Sequence, residues 1–184
     1  MRYSPRVRPS RILLVGFMGS GKSSVGSNLA ARLGWRFADA DDVVEREQGM
    51  TIAHIFSKLG EPRFRELEHD VIQTLLMEER VVVASGGGWS AVPGRLDDLS
   101  AHTVTVWLRV SAEEAVRRAG EQPCSRPLLS VSDALSAARE LLRMRAPLYA
   151  EAQHEVDTEG FSVEDVSTRV LMLLGLNQPT TDTE

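Results

Sequence analysis

The sequence predicts an α/β fold, with a parallel sheet covered by helices on both faces. Three observations carry that expectation. Short apolar runs of strand length alternate with helical stretches along the chain. One such junction holds a glycine-rich turn, "GFMGSGKS", between an apolar run and a helix. The residues least typical of a plain scaffold fall just after predicted strands, where open parallel sheets bind ligands.

Taken in order, "RILLVGF" (Arg11 to Phe17) is an apolar run of strand length, and Lys22 to Leu33 reads as a helix. "WRFAD" is a predicted second strand that places Trp35 in the core, leading into a polar helix, "DDVVEREQG". "TIAHIFSKLG" and "EPRFRELEHDVIQTLLMEE" read as two helices, the second opened by Pro62 at a favoured position. "VVVAS" and "TVTVWLRV" are predicted buried strands, the latter with Trp107 in the core. "SAEEAVRRAG" has a Ser N-cap, acids in its first turn, arginines in its last and a closing glycine, which together specify a helix. The polar stretch from Gly120 to Ser132 reads as a mobile lid, and "DALSAARELLRMRAPLY" as a helix to about Pro147. "HEVDT" is a final strand and "SVEDVSTRVLMLLG" a closing amphipathic helix. Residues 11–176 therefore read as one domain, with 1–10 and 177–184 as flexible tails.

Bulk properties narrow the function. The formal net charge of −5 argues against nucleic acid as the main partner, because binding a phosphate backbone needs a basic surface. No apolar run approaches the roughly 20 residues needed to span a bilayer. Cys124 is the only cysteine, which excludes an intramolecular disulfide and a cysteine-rich zinc site and fits a reducing cytoplasm. His54, His69, His102 and His154 show no metal-like grouping and read as surface or packing residues.

"GFMGSGKS" fits G-x-x-x-x-G-K-[ST] through Gly16, Gly21, Lys22 and Ser23, between a predicted strand and a predicted helix. Its glycines let backbone N–H groups curl around phosphate oxygens at a positive helix terminus. Lys22 would reach the β- and γ-phosphates and Ser23 would ligate Mg²⁺. This motif alone does not separate a kinase from a switch GTPase or an ATPase.

The acceptor side narrows the choice. Asp39 and Asp41, at i and i+2 after the second strand, share one side of an extended backbone. Phosphoryl transfer to a hydroxyl needs a carboxylate to orient the nucleophile and another near the metal. Asp41 or Asp42 could equally cap the following helix, and spacing leaves both open. Arg63 and Arg65 lie early in a helix, against its dipole. That favours anion recognition over the surface ion pairs that Glu66 and Glu68 would also allow. "SGGGW" lacks an acid of the switch-GTPase kind and offers Gly86, Gly87 and Gly88 as bare backbone, while Trp89 either walls the pocket or packs beneath the next segment. Arg126 falls in the lid and Arg145 in "RMRAPLY".

In combination, "GFMGSGKSS", "DAD", "FRELE", "SGGG", "RPLL" and "RAPLY" resemble shikimate kinase, a small kinase of the nucleoside-monophosphate-kinase-like P-loop class. The resemblance runs from about Arg11 to Gly175. It implies a three-layer P-loop kinase fold with a five-stranded parallel sheet in the order 2-3-1-4-5. It also implies transfer of the γ-phosphate of ATP to the 3-hydroxyl of shikimate, with Mg²⁺, on the route to aromatic amino acids. Carried over by position, Gly19, Ser20, Gly21, Lys22, Ser23 and Ser24 would bind ATP phosphates, with Ser23 on the metal and Asp39 holding it through water. Asp41 would bind the acceptor hydroxyl and act as base. Arg65 and Arg145 would clamp the substrate carboxylate, aided by Gly86, Gly87 and Gly88. Arg126 would reach the phosphates and Arg118 would stack on adenine. The chain departs from the family pattern at Trp89, where a small residue is usual, and in "DTEGFS", which lacks the usual basic or proline residue near adenine. A monomer that binds neither nucleic acid nor membrane is the expected state.

Overall fold

The computed structural model describes residues 8–120 and 133–176. Most of the lid segment, with Arg126 and Cys124, and residues 1–7 and 177–184 of the two tails lie outside the described residues. Five strands form one sheet: β1 (Arg11–Val15), β2 (Arg36–Asp39), β3 (Val81–Ala84), β4 (Thr103–Arg109) and β5 (His154–Asp157). The order is β2-β3-β1-β4-β5, as the family resemblance implied, and every pairing is parallel.

A parallel sheet with helices on both faces needs strands that are apolar throughout. In β1, Leu13 and Val15 face one core and Ile12 and Leu14 the other, all fully buried. Helices α1 (Lys22–Leu33) and α6 (Val163–Leu174) close one face through Val25, Leu29, Val166 and Val170. Helices α2 (Ala40–Gln48), α3 (Ile52–Leu75), α4 (Ala112–Gly120) and α5 (Ala134–Tyr149) cover the other.

Local signals set most boundaries. Gly60, at φ 82° and ψ 162°, breaks α3 into the two expected helical pieces, with Pro62 in the first turn of the second. Ser111 Oγ caps α4 by accepting from the Glu114 N–H at 3.2 Å. Ser162 and Asp165 form a capping box on α6.

Three expectations need correction. Trp35 lies outside β2 and is only half-buried, because its N–H closes the α1 terminus on Ala30 O at 2.9 Å. Helix α3 stops at Leu75, short of Glu79. Helix α5 runs past Pro147 to Tyr149, since a proline in a last turn removes a single bond while the Ala150 N–H still reaches Ala146 O at 3.0 Å. No helix among the described residues is long and apolar enough to cross a membrane.

Candidate active site

Because all five strands run in parallel, Val15, Asp39 and Ala84 end on one sheet edge, and the loops after them line a single cleft of about 1420 Å³. A pocket for one small ligand measures roughly 300–1,000 Å³, so the cleft exceeds what one such ligand needs.

The phosphate loop lies at its centre. Gly21 takes φ 86° at the N-terminus of α1, a left-handed geometry that costs a glycine little. Lys22 folds back over the loop, its Nζ donating to Gly16 O and Phe17 O at 2.9 Å each. Ser23 Oγ donates to Asp39 Oδ2 at 2.5 Å, and Asp39 Oδ1 accepts from the Asp41 N–H at 3.0 Å.

That second bond decides a question the spacing left open. Asp39 caps α2, so neither Asp41 nor Asp42 serves as the cap. Asp41 instead lines the cleft, and its buried Oδ1 finds no hydrogen-bond partner among the described residues. Burial, then the charges of Glu68 and Asp39, push its carboxyl up to about 7 against the opposing pull of Lys22 and Arg65. A carboxylate in such surroundings is suited to taking a proton near neutral pH.

The two arginines of "FRELE" separate. Arg63 is an exposed partner of Glu66 at 2.7 Å, the ordinary surface pair. Arg65 turns into the cleft, where Nη1 donates to Glu68 Oε2 at 2.8 Å and Nη2 to Glu61 Oε1 at 3.0 Å. Its guanidinium lies 5.1 Å from the Phe64 ring centroid and 6.0 Å from that of Phe56. Glu68 is fully buried, and desolvation pushes its carboxyl upward while Arg65 opposes the shift.

The glycine run has a tighter cause than a ligand alone. A Cβ on Gly86 would stand 2.0 Å from Glu68 Oε1 and 2.7 Å from Asp41 Oδ1. One on Gly88 would meet the Arg65 guanidinium carbon at 2.5 Å. The space that the sequence offers as bare backbone at Gly86 and Gly88 is thus already taken by the side chains of Asp41, Glu68 and Arg65. All three glycines still line the cleft.

Arg145 enters from α5 and donates to Gly87 O at 3.2 Å. Arg118 is tied to the protein, its guanidinium donating to Gly19 O at 3.0 Å, Thr158 O at 3.0 Å and Glu114 Oε1 at 2.7 Å. It thus braces the phosphate loop against the segment after β5. Trp89 does not line the cleft. It is 1% exposed, stacks on His69 at 6.3 Å and lies under Arg95, which decides for packing over a pocket wall.

Tyr149 and Thr158 escaped the sequence reading, and Glu68 was read only as a surface ion-pair partner although it is buried under the cleft. Glu68 and Tyr149 sit three and four residues after cleft arginines, a spacing that puts both on the arginine's own helix face. Thr158 left no signal of its own. Among the described residues no group of three His, Cys, Asp or Glu forms a metal cluster.

A gluconokinase from Sinorhizobium meliloti 1021 shares this architecture at a TM-score of 0.61 and 20% identity, covering 92% of this chain and 94% of its own. That likeness speaks for the fold alone. Fold and cleft together define a P-loop kinase, with a phosphate loop facing a pocket of acids, arginines and bare backbone. The profile of the shikimate kinase family matches residues 18–174, and this chain belongs to that family. A shikimate kinase of Synechococcus sp. (strain RCC307) is 43% identical over 169 residues, covering 92% of this chain and 86% of its own length. A shikimate kinase from Acinetobacter baumannii, solved in complex with shikimate, superposes at a TM-score of 0.85 with 36% identity, covering 92% of this chain and 95% of that one.

Proposed function

We infer that this chain transfers the γ-phosphate of ATP to the 3-hydroxyl of shikimate, giving shikimate 3-phosphate and ADP in aromatic amino-acid biosynthesis. The observation that carries this reading is the convergence of Asp41, Arg65, Arg145 and the Gly86–Gly88 backbone on one side of the phosphate loop. A small hydroxy acid matches that pocket, with its hydroxyl at the acid and its carboxylate at the two arginine forks.

In this account Gly19, Ser20, Gly21, Lys22, Ser23 and Ser24 hold the phosphates of ATP, with Lys22 on the migrating group. Asp41 orients the acceptor hydroxyl and takes its proton as the oxygen attacks phosphorus. Arg65 and Arg145 clamp the carboxylate, supported by Gly86, Gly87 and Gly88. Arg126, outside the described residues, would meet the phosphates and neutralise their charge. Arg118 holds the nucleotide side of the cleft together. The adjoining oxygens of Ser23 and Asp39 fit Mg²⁺, Ser23 as a ligand and Asp39 through water, and the ion would neutralise charge on the substrate phosphates. We further propose that residues 11–176 act as a single monomeric domain in the cytoplasm, with neither nucleic acid nor membrane as partner.

The test is a coupled ADP-release assay with Mg·ATP and shikimate, gluconate, AMP or no acceptor. Shikimate alone is expected to raise turnover well above the acceptor-free rate. Equal rates with and without shikimate would sink the reading.

A further inference from the structure

The Gly86–Gly88 loop sits between two supports. On one side the position of a Gly87 Cβ would be 3.3 Å from Met18 N and 3.6 Å from Gly16 O, so the loop rests on the phosphate-loop backbone. On the other side Gly87 O accepts two hydrogen bonds from α5, from Arg145 Nη1 at 3.2 Å and from the Tyr149 hydroxyl. Tyr149 is fully buried, and its ring lies 6.1 Å from that of Trp107. It follows Arg145 by four residues, so both project from one helix face. Burial raises the phenol above its ordinary range, which keeps the hydroxyl a donor at working pH.

We propose that Tyr149 is a positioning residue for the acceptor: its hydroxyl fixes the Gly87–Gly88 peptide and, through Gly88, the seat of Arg65. The linkage is short and mechanical. The peptide is trans, so fixing the Gly87 carbonyl also fixes the Gly88 N–H, which points the opposite way along the same unit. Gly88 in turn lies against the Arg65 guanidinium, where not even a methyl group would fit. Loosening the carbonyl therefore loosens the peptide and, with it, the glycine backbone that packs on the Arg65 guanidinium. Arg145 already holds its own bond to Gly87 O, so losing the hydroxyl leaves the carbonyl with one partner in place of two. The inference rests on the reading that Arg65 and Arg145 seat shikimate, and it extends that reading to a residue the cleft does not expose.

The experiment is Tyr149→Phe, which keeps the ring and removes only the hydroxyl. Its KM for shikimate is expected to rise roughly ten-fold, the cost of one buried hydrogen bond, while its KM for ATP stays within about two-fold. A shikimate KM that stays within about two-fold, or a rise matched by that of ATP, overturns the proposal. The second measurement needs no substitution. Tyr3 and Tyr149 are the chain's two tyrosines, so tyrosine labelled with ¹³C at Cζ alone gives two resonances. Shikimate without nucleotide is expected to move the Tyr149 resonance more than ADP does; equal or absent shifts overturn the proposal. A parent protein inert towards shikimate removes the functional reading and this inference together. Turnover by the parent with neither effect removes this inference alone.

Discussion

Gly86 is the residue on which the site depends most narrowly. Its missing Cβ leaves room for Glu68 Oε1 and Asp41 Oδ1, which would stand 2.0 and 2.7 Å from a methyl group there. Gly86→Ala must displace both carboxylates, that of Asp41 among them. A misplaced catalytic group costs on the order of a hundred-fold. We expect shikimate turnover to fall at least that far with nucleotide affinity retained, measured by initial rates and ADP titration; near-normal turnover would show that the contact is slack. Asp41 supplies a second test. Its carboxyl sits at about 7 in the folded chain against an ordinary 3.8, so the folded state holds a proton that the unfolded state has lost between those values. Stability therefore falls as pH rises from about 4 to 7, and Asn at this position escapes the loss. Each pK unit corresponds to about 1.4 kcal/mol. In metal-free buffer Asp41→Asn should melt several degrees above the parent at pH 8, with the gap closing towards pH 5. A gap that does not change with pH would contradict the burial argument. The same variant should lose about a hundred-fold or more in turnover if Asp41 is the base.

At the scale of elements, the N-cap of α4 was legible because a cap is local chemistry, whereas the ends of α3 and α5 were not. Ser111 announced α4 through Glu114, only three positions away, while the matching cap of α6 by Ser162 went unread. What crossed between elements was hidden. Nothing in "SGGGWS" says that Trp89 turns away from the cleft to pack on His69 of α3 and under Arg95. That packing joins the short 3₁₀ turn Trp89–Ala91 to α3 and supports the acceptor loop from behind. Trp89→Ala is thus expected to cost roughly 3–5 kcal/mol in stability, as large-to-small core changes do. Its shikimate KM should stay within a few-fold at temperatures where the variant is folded. A large rise in KM with unchanged melting temperature would restore the pocket-wall role. The glycines teach the same lesson. Their number signalled a close approach, but which atoms approach is a tertiary fact held by α2 and α3.

For the whole molecule, the alternation of strands and helices made a parallel α/β sheet legible, and parallel strands placed every active loop on one edge. Periodicity could not order the strands. The order 2-3-1-4-5 entered through the family resemblance, and the sheet has it. That order puts β1 between β3 and β4, so the phosphate loop lies beside the glycine loop on one side and Arg118 on the other. The acceptor pocket and the nucleotide cradle are neighbours because of this topology. Transfer between them is the central claim, and the fate of the phosphate tests it directly. Purified chain, Mg·ATP and shikimate should yield, by ³¹P NMR with proton correlation, a phosphomonoester coupled to the proton on carbon 3. A spectrum in which ATP yields only inorganic phosphate, or in which no phosphate joins shikimate, would contradict the account.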